Sequence, residues 1–426
     1  MIEPEIPEGI QKKIHDLGSA DIVFGIPSFN NAPTLGQVLR VVQDGLREYF
    51  PSAQCVIINA DGGSSDGSIE QALGAVAEGT TLLQVPYRPY LIPELPASPA
   101  GIPGKGNAYH VIFWAARMLK AKACVVVDAE LQSITPVWIR SLLHPVLTGE
   151  CDLVSPYYTR QKFDGAVTTS IVYPLTRALY GKRVRFPIGG EFCFSARLVD
   201  HYLNQEVWEG EASTFGIDIW MTTQAVCGGF RTGQAFLGNR IYDSKGPALD
   251  LSRLLTQILG GIFSEMERNA RIWQRIRGSE PIPMFGRPEA TDFLPIKIDV
   301  EPMINSYNLG FKNLFELWSL IISPAALIEL KKLTQHVNGS FLLSDKLWVH
   351  VVYDFAIAHY QRIMSRDHLL GALTPLYLAW VASYMLQMQN ADAAQIEGRI
   401  EELCMCFESE KPYLISRWRW PDRFNP

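Results

Sequence analysis

Short apolar runs alternate with amphipathic stretches through the first half of the chain. Asp21-Ile22-Val23-Phe24-Gly25-Ile26 is a continuous apolar run that stops at Pro27-Ser28, as a buried strand ended by a turn should. From Thr34 to Phe50, Leu35, Val38, Leu39, Val42 and Leu46 recur at helical spacing. Gln54 to Asn59 reads as a second strand, closed by Asp61-Gly62-Gly63-Ser64-Ser65-Asp66-Gly67-Ser68. That segment has the composition of a turn followed by a helix N-cap. Leu82 to Val85 is a third, shorter strand. A Pro-rich loop from Pro86 to Gly106 leads into a helix expected over Asn107 to Leu119. Ala123 to Val127 is a central strand ending at Asp128-Ala129-Glu130, and Asp152 to Ser155 is another. Such alternation predicts a mostly parallel sheet with helices on both faces.

From about 262 the period lengthens. A Pro/Gly-rich stretch, Gly278 to Thr291, precedes helical segments expected at 310–333, 341–365, 368–388 and 391–408. The expected division is therefore residues 1–260 as a catalytic domain and 261–426 as a mainly helical region. The run from Leu369 to Gln387 carries no charge, but Gly371, Thr374, Pro375, Ser383 and Tyr384 interrupt it and neither flank is basic. It reads as a buried or interface helix rather than a membrane span. Trp318, Leu320, Ile321, Ile322, Leu327 and Ile328 exceed what one-sided packing requires. Core packing on the catalytic domain and a homodimer interface are the two readings of that surplus.

Composition narrows the class. With 47% apolar and 19% charged residues, the chain is ordinary globular material without long disorder. A net charge of -6 gives no electrostatic reason to expect nucleic acid or an anionic membrane as partner. Seven cysteines are scattered, several inside apolar runs, as reduced thiols in a cytoplasmic protein would be. Cys404 and Cys406 have no second Cys or His pair nearby and read as buried helix residues. The acidic start, Met1 to Glu8, lacks the basic and apolar regions of a signal peptide.

In an open sheet, ligands bind outside the carboxyl ends of the strands. Three polar clusters are expected there: Pro27 to Asn31, Asp61 to Asp66, and Asp128-Ala129-Glu130. Each alone is also a tight loop with a helix cap, and their succession points to a site. Two carboxylates following a buried strand call for a counter-charge, which a hard divalent cation with oxygen ligands supplies. Pro103-Gly104-Lys105-Gly106 sets a Lys just before a helix, where ammonium and helix N-terminus act together on an anion. It lacks the spacing of a P-loop. Pro187-Ile188-Gly189-Gly190-Glu191 and Phe215-Gly216-Ile217-Asp218 each read equally as a turn with a cap or as a site.

Taken in order, Ile26-Pro27-Ser28-Phe29-Asn30, Asp61-Gly62-Gly63-Ser64-Ser65-Asp66, Pro103-Gly104-Lys105-Gly106, Asp128-Ala129-Glu130, Pro187-Ile188-Gly189-Gly190-Glu191 and Gly216-Ile217-Asp218 make a specific set. Over roughly residues 20 to 260 the chain resembles retaining GT-A glycosyltransferases of the mannosylglycerate synthase and glucosyl-3-phosphoglycerate synthase type. The resemblance implies a Rossmann-like mixed α/β sheet flanked by helices, with a helical C-terminal extension. It implies transfer of a hexose from a nucleoside diphosphate sugar to glycerate or a similar small hydroxy acid, with retention and with Mg²⁺ or Mn²⁺. Pro27, Phe29, Asn30 and Asp61 would line the nucleobase and ribose, Lys105 would sit by the diphosphate, and Asp128 would touch the nucleotide. Glu130 would hold the metal together with Asp243, which stands where these enzymes carry a His. Gly190 and Glu191 would shape the sugar and acceptor pocket, and Asp218 would orient the donor sugar at the reacting carbon.

On the acceptor side, Arg160 and Thr168 match positions that hold glycerate, an Arg being able to grip a carboxylate with two parallel bonds. Ala166 stands where the phosphoglycerate enzymes supply an Arg, which favours an unphosphorylated acid, although Lys162 is close by in sequence. A glucosyl-3-phosphoglycerate synthase activity is therefore the near alternative. An inverting family-2 enzyme acting on a polysaccharide or lipid would need a catalytic-base carboxylate, and processive synthases add membrane helices and a Gln-x-x-Arg-Trp motif. Gln274-Arg275-Ile276-Arg277 begins it, but Gly278 replaces the Trp. A non-catalytic nucleotide-sugar sensor would be expected to have lost one of Asp128, Glu130 and Asp218, and all three are present.

Overall fold

A computed structural model of the chain describes residues 3–88, 104–159, 161–209, 216–241, 251–287, 299–335 and 341–420. Two compact units emerge: residues 1–159, 184–249 and 281–289 form the first, and 160–183, 250–280 and 290–426 the second. A single cut at 260 is not how the chain packs. Residues 160–183 join the helical unit, and 281–289 return to the sheet because Met284–Phe285 pairs with a strand there.

The first unit is built on eight strands: β1 (Ile22–Ser28), β2 (Cys55–Asp61), β3 (Thr81–Pro86), β4 (Ala123–Val126), β5 (Leu153–Thr159), β6 (Phe192–Ser195), β7 (Thr232–Asn239) and β8 (Met284–Phe285). Their order is β3-β2-β1-β4-β6-β5-β7-β8. Neighbours run parallel except at β6, which is antiparallel to both β4 and β5. The sheet is mixed and flanked by helices, as expected. All seven residues of β1 are buried, the mark of a strand covered on both faces. One face packs Phe24, Val125 and Val154 against Leu39, Ile139 and Leu142. The other packs Val23, Val126 and Phe194 against Ile112, Phe113 and Trp220.

Topology decides where chemistry gathers. From β1 the chain moves outward to β2 and β3, then crosses back to β4 on the other side of β1. The carboxyl ends of β1 and β4 thus flank a topological switch point. The reversed β6 brings its own start to the same edge, since Phe192 pairs with Val126. Two helices also begin at this edge, Lys105–Met118 leading into β4 and Ile217–Cys227 leading into β7. Each is entered through a glycine in the left-handed region, Gly104 (φ 67°) and Gly216 (φ 85°). The first starts two residues before the expected Asn107, so Lys105 is its opening residue.

The second unit is helical in its described residues. Here the expected helix at 310–333 divides into Glu301–Ile321 and Pro324–Leu333. Pro324 has no N–H and pushes Ser323 to extended backbone, ψ 146°. The expected 391–408 helix runs as Ala393–Arg419 through Pro412. Arg366–Met388 is long and apolar enough to cross a membrane by length and composition, and 67% of its apolar window is buried. Trp318, Ile321, Ile322 and Leu327 are buried, whereas Leu320 and Ile328 remain exposed. Cys404 is buried as expected, but Cys406 is only half-buried.

Long-range polar ties hold this unit together. The Arg177 guanidinium is 1% exposed and donates to Glu408 Oε1 and Glu401 Oε1, each at 2.7 Å. Lys411 is buried too, its ammonium donating to the carbonyls of Ala178 (2.6 Å), Ile276 (3.2 Å) and Leu179 (3.3 Å). It thereby caps the end of the Tyr173–Tyr180 helix, where carbonyls lack intrahelical partners.

Candidate functional site

The loops after β1 and β2 are held as one piece by Asp61, which is 4% exposed. Its Oδ1 accepts from the amides of Gly63 (2.9 Å) and Ser64 (2.8 Å). Its Oδ2 accepts from the hydroxyls of Ser28 (2.8 Å) and Ser64 (2.6 Å). Four bonds fill the acceptor capacity of a carboxylate. Asn30 sits in the left-handed region at φ 55°, its amide donating to Ser64 Oγ at 2.8 Å and its Oδ1 accepting from Ser65 at 2.9 Å. Pro27 pairs with Ala60 in the sheet. Phe29 is half-buried and would meet a Cβ on Gly62 at 3.2 Å, so its ring lies along the Asp61-Gly62 turn.

Beside this loop pair lies a cluster of five charged side chains. Lys105 Nζ is 2.8 Å from Asp128 Oδ1 and 3.3 Å from Asp218 Oδ2. Arg240 Nη2 is 2.8 Å from Asp128 Oδ2 and 3.2 Å from Glu191 Oε1. The hydroxyl of Tyr158 donates to Glu191 Oε2. Aromatic faces back both cations, Tyr109 beneath Lys105 at 5.3 Å and Tyr158 beneath Arg240 at 5.5 Å.

Three carboxylates thus share two cations in a largely desolvated setting. Burial pushes the Glu191 carboxyl up to about 8, against the pull of Arg240 and with the help of Asp128's charge. Burial likewise raises Asp218, opposed by Lys105. Burial acts to lower the Lys105 ammonium, but the charges of Asp128 and Asp218 outweigh it and hold Lys105 well above its ordinary value. Asp218 Oδ1 is buried and has no hydrogen-bond partner among the described residues. A buried carboxylate oxygen left without a partner can accept from a donor group of a ligand.

Glu130 is half-buried in the loop after β4. That loop is stitched to the segment after β7: Gln132 N donates to Ile241 O, and Ile241 N to Ser133 Oγ, each at 2.9 Å. The segment ending at Ile241 therefore runs alongside the loop of Glu130, and Asp243 lies outside the described residues. Among those residues no three His, Cys, Asp or Glu side chains group to hold a metal alone. Glu130 offers a hard carboxylate oxygen of the kind that Mg²⁺ or Mn²⁺ prefers.

Of the acceptor candidates, Arg160 lies outside the described residues. Thr168 is buried in the second unit, on a wide helical turn, Thr168–Val172, with π-type hydrogen bonding. Lys162, in the same unit, donates to the carbonyl of Gln389 at 3.0 Å.

The structure brings together Lys105, Asp128, Glu191 and Asp218, and adds three residues that the sequence reading passed over. Arg240 is the residue immediately after β7, and that position was the available signal. Tyr158 reaches the cluster because β5 pairs with β7, opposite Gly238. Tyr109 follows Lys105 by one helical turn. Gly190 has a role of its own: at φ 90°, a Cβ there would strike Asp128 Oδ2 and lie 3.0 Å from Arg240 Nη2.

No family model matches the chain, and no curated protein does. Among solved structures it is similar to glucosyl-3-phosphoglycerate synthase from Mycobacterium tuberculosis in complex with phosphoglyceric acid. That likeness has 22% identity over 60% of this chain and 83% of that chain, with a TM-score of 0.41. For the same synthase with Mn²⁺, uridine-diphosphate-glucose and phosphoglyceric acid the figures are 21%, 67%, 92% and 0.41. A further structure, described only as a mycobacterial protein, gives 23%, 60%, 78% and 0.41.

Proposed function

We propose that this chain is a metal-assisted hexosyltransferase that moves a sugar from a nucleoside diphosphate to glycerate or a similar small hydroxy acid, with retention. One observation carries the reading. Lys105, Asp128, Glu191 and Asp218, drawn from four separate motifs of the resemblance, converge at the switch point of the sheet within one ion-paired cluster.

The roles are those that the resemblance implies, and the geometry is compatible with them. Phe29, Pro27 and Asn30 would line the nucleobase and ribose, beside the turn that Asp61 fixes. Lys105, at a helix N-terminus, is the cation suited to the diphosphate. Asp128 would touch the nucleotide. Asp218, with one oxygen unpartnered, accepts from a sugar hydroxyl and orients the ring. Glu191, carrying its proton near neutral pH, shapes the pocket for sugar and acceptor beside Gly190. Glu130 and Asp243 would hold Mg²⁺ or Mn²⁺, which when bound neutralises charge on the departing diphosphate as a Lewis acid. Arg160 and Thr168 would hold the acceptor acid. Reaction on one face of the sugar asks the protein for positioning and electrostatics rather than a strong nucleophile.

A screen of nucleoside diphosphate sugars against glycerate, 3-phosphoglycerate and other hydroxy acids, with the product anomer assigned, tests the reading. A retained-anomer glycoside of a small hydroxy acid is the expected product. Binding of nucleotide with no turnover on any acceptor would replace it with a sensor, and an inverted product would remove retention.

A further inference from the structure

We propose that Arg240 is a positioning residue that ties Asp128 to Glu191 through one guanidinium nitrogen and so fixes the relative placement of the two carboxylates. The inference rests on the transferase reading above and concerns a residue that reading does not use. Nη2 meets Asp128 Oδ2 at 2.8 Å and Glu191 Oε1 at 3.2 Å. Asp128 follows β4 and Glu191 precedes the reversed β6, so the ladder that ends at Val126 and Phe192 brings the two residues close without fixing their side-chain directions. Once Glu191 ionises, above about 8, two like charges this close in a desolvated setting repel. A planar, permanently charged fork between them turns that repulsion into a fixed geometry.

Two further features serve the tie. Tyr158 places its ring under the guanidinium and donates its hydroxyl to the other oxygen of Glu191. Gly190 leaves vacant the space that a Cβ would take from both Asp128 Oδ2 and Arg240 Nη2. The pair can therefore close over bare backbone, at a residue whose φ of 90° already excludes most side chains.

Glu191 reports on the tie. The groups acting on it are Arg240 after β7, Tyr158 on β5, Asp128 after β4, and Lys105 and Asp218 at their helix starts. Of these Arg240 is the nearest cation, and it holds the Glu191 carboxyl down against burial. Loss of Arg240 raises the Glu191 midpoint from about 8. At the same time Asp128 is released.

The experiment uses the full chain with Arg240→Gln, Arg240→Lys and Gly190→Ala, each checked for folding by circular dichroism. Arg240→Gln should lower kcat about 100-fold, the cost of roughly 1 Å of misplacement, and move the donor KM by less than about threefold. The protonated-carboxyl infrared band of Glu191, isolated by subtracting the Glu191→Gln spectrum, should titrate about 1 to 3 pH units higher. Arg240→Lys should recover part of both changes. Gly190→Ala, which parts the pair at unchanged charge, should reproduce the loss in kcat. If Arg240→Gln leaves kcat and the infrared midpoint where they were, the tie is wrong. If it raises the donor KM tenfold or more at constant kcat, Arg240 is a donor ligand and the proposal falls. The infrared midpoint needs no turnover. A chain inactive on every donor would sink the transferase reading, and the tie would then be judged on that midpoint alone.

Discussion

Lys105 and Asp128 are already paired across the carboxyl edge of the sheet, Nζ to Oδ1 at 2.8 Å, and Asp218 competes for the same ammonium at 3.3 Å. A diphosphate approaching Lys105 must therefore share it with two carboxylates. On the proposed reading, Lys105→Ala raises the donor KM by about 10- to 100-fold, the worth of a hydrogen bond to a charged group. The acceptor KM should stay within about threefold of wild type. Steady-state measurement of each constant at saturating co-substrate checks this. Equal effects on both would reduce Lys105 to a structural counter-ion.

Asp61 makes a different forecast. Its four accepted bonds come from Ser28 at the end of β1 and from Gly63 and Ser64 in the loop after β2, so removing it strands two amides and two hydroxyls. Asp61→Ala should destabilise the protein by about 1 to 3 kcal/mol and weaken donor binding as well, measured by urea denaturation and by calorimetry with nucleoside diphosphates. A loss of binding at unchanged stability would make Asp61 a direct ligand instead.

For the metal, activity should vanish in excess chelator and return with Mn²⁺ or Mg²⁺. Glu130→Ala should lose activity while keeping its thermal midpoint. Metal binding by calorimetry should be strong only with nucleoside diphosphate present, because ligand oxygens complete the shell. Full turnover in chelator removes the metal from the mechanism.

Acceptor choice gives the next forecast. Ala166 removes a guanidinium, and Lys162 is engaged by the Gln389 carbonyl. A phosphate dianion buried without a cation is strongly disfavoured. Glycerate should thus be preferred over 3-phosphoglycerate in kcat/KM, and Arg160→Ala should cost about 2 to 5 kcal/mol of acceptor binding. If 3-phosphoglycerate wins by about tenfold, or 1.4 kcal/mol, this view of the pocket is wrong.

The second unit gives a pH signature independent of catalysis. Burial pulls the Lys411 ammonium down to about 8, below the value of about 10.4 for an exposed lysine. Between those values the unfolded chain binds more protons than the folded one, so the contribution of Lys411 to stability rises with pH. Below about 8 both states are protonated and the cost of the buried charge is fully present. Relative to Lys411→Met, wild-type stability should climb from pH 8 toward about 10 and stay level below about 7.5. A level difference throughout would mean that Lys411 keeps an ordinary pKa in the fold.

Much of this was legible before any coordinates, for a local reason. Lys105, Asp128 and Asp218 each stand at the end or start of an element, where apolar periodicity breaks, and such breaks are visible in sequence. Arg240 and Tyr158 were not, because only the order of the strands carries them to the cluster. No short-range pattern says that β6 enters backwards between β4 and β5, or that Tyr158 pairs opposite Gly238. The helix expected at 310–333 failed at Ser323-Pro324, where backbone chemistry overrode a sustained apolar period. The cut at 260 failed because residues 160–183 find their packing partners more than two hundred positions later.

That last fact sets a clock. Arg177 is made long before Glu401 and Glu408, the carboxylates that neutralise it. The separations are 224 and 231 residues, and at translation rates of about 5 to 20 residues per second the wait is roughly 10 to 45 seconds. Through that interval the guanidinium stays hydrated and the Tyr173–Tyr180 helix has no Ala393–Arg419 helix to pack on. The sheet, complete once β8 has emerged, can close earlier. Vectorial synthesis thus lets the sheet close before the ion pairs of Arg177 can form.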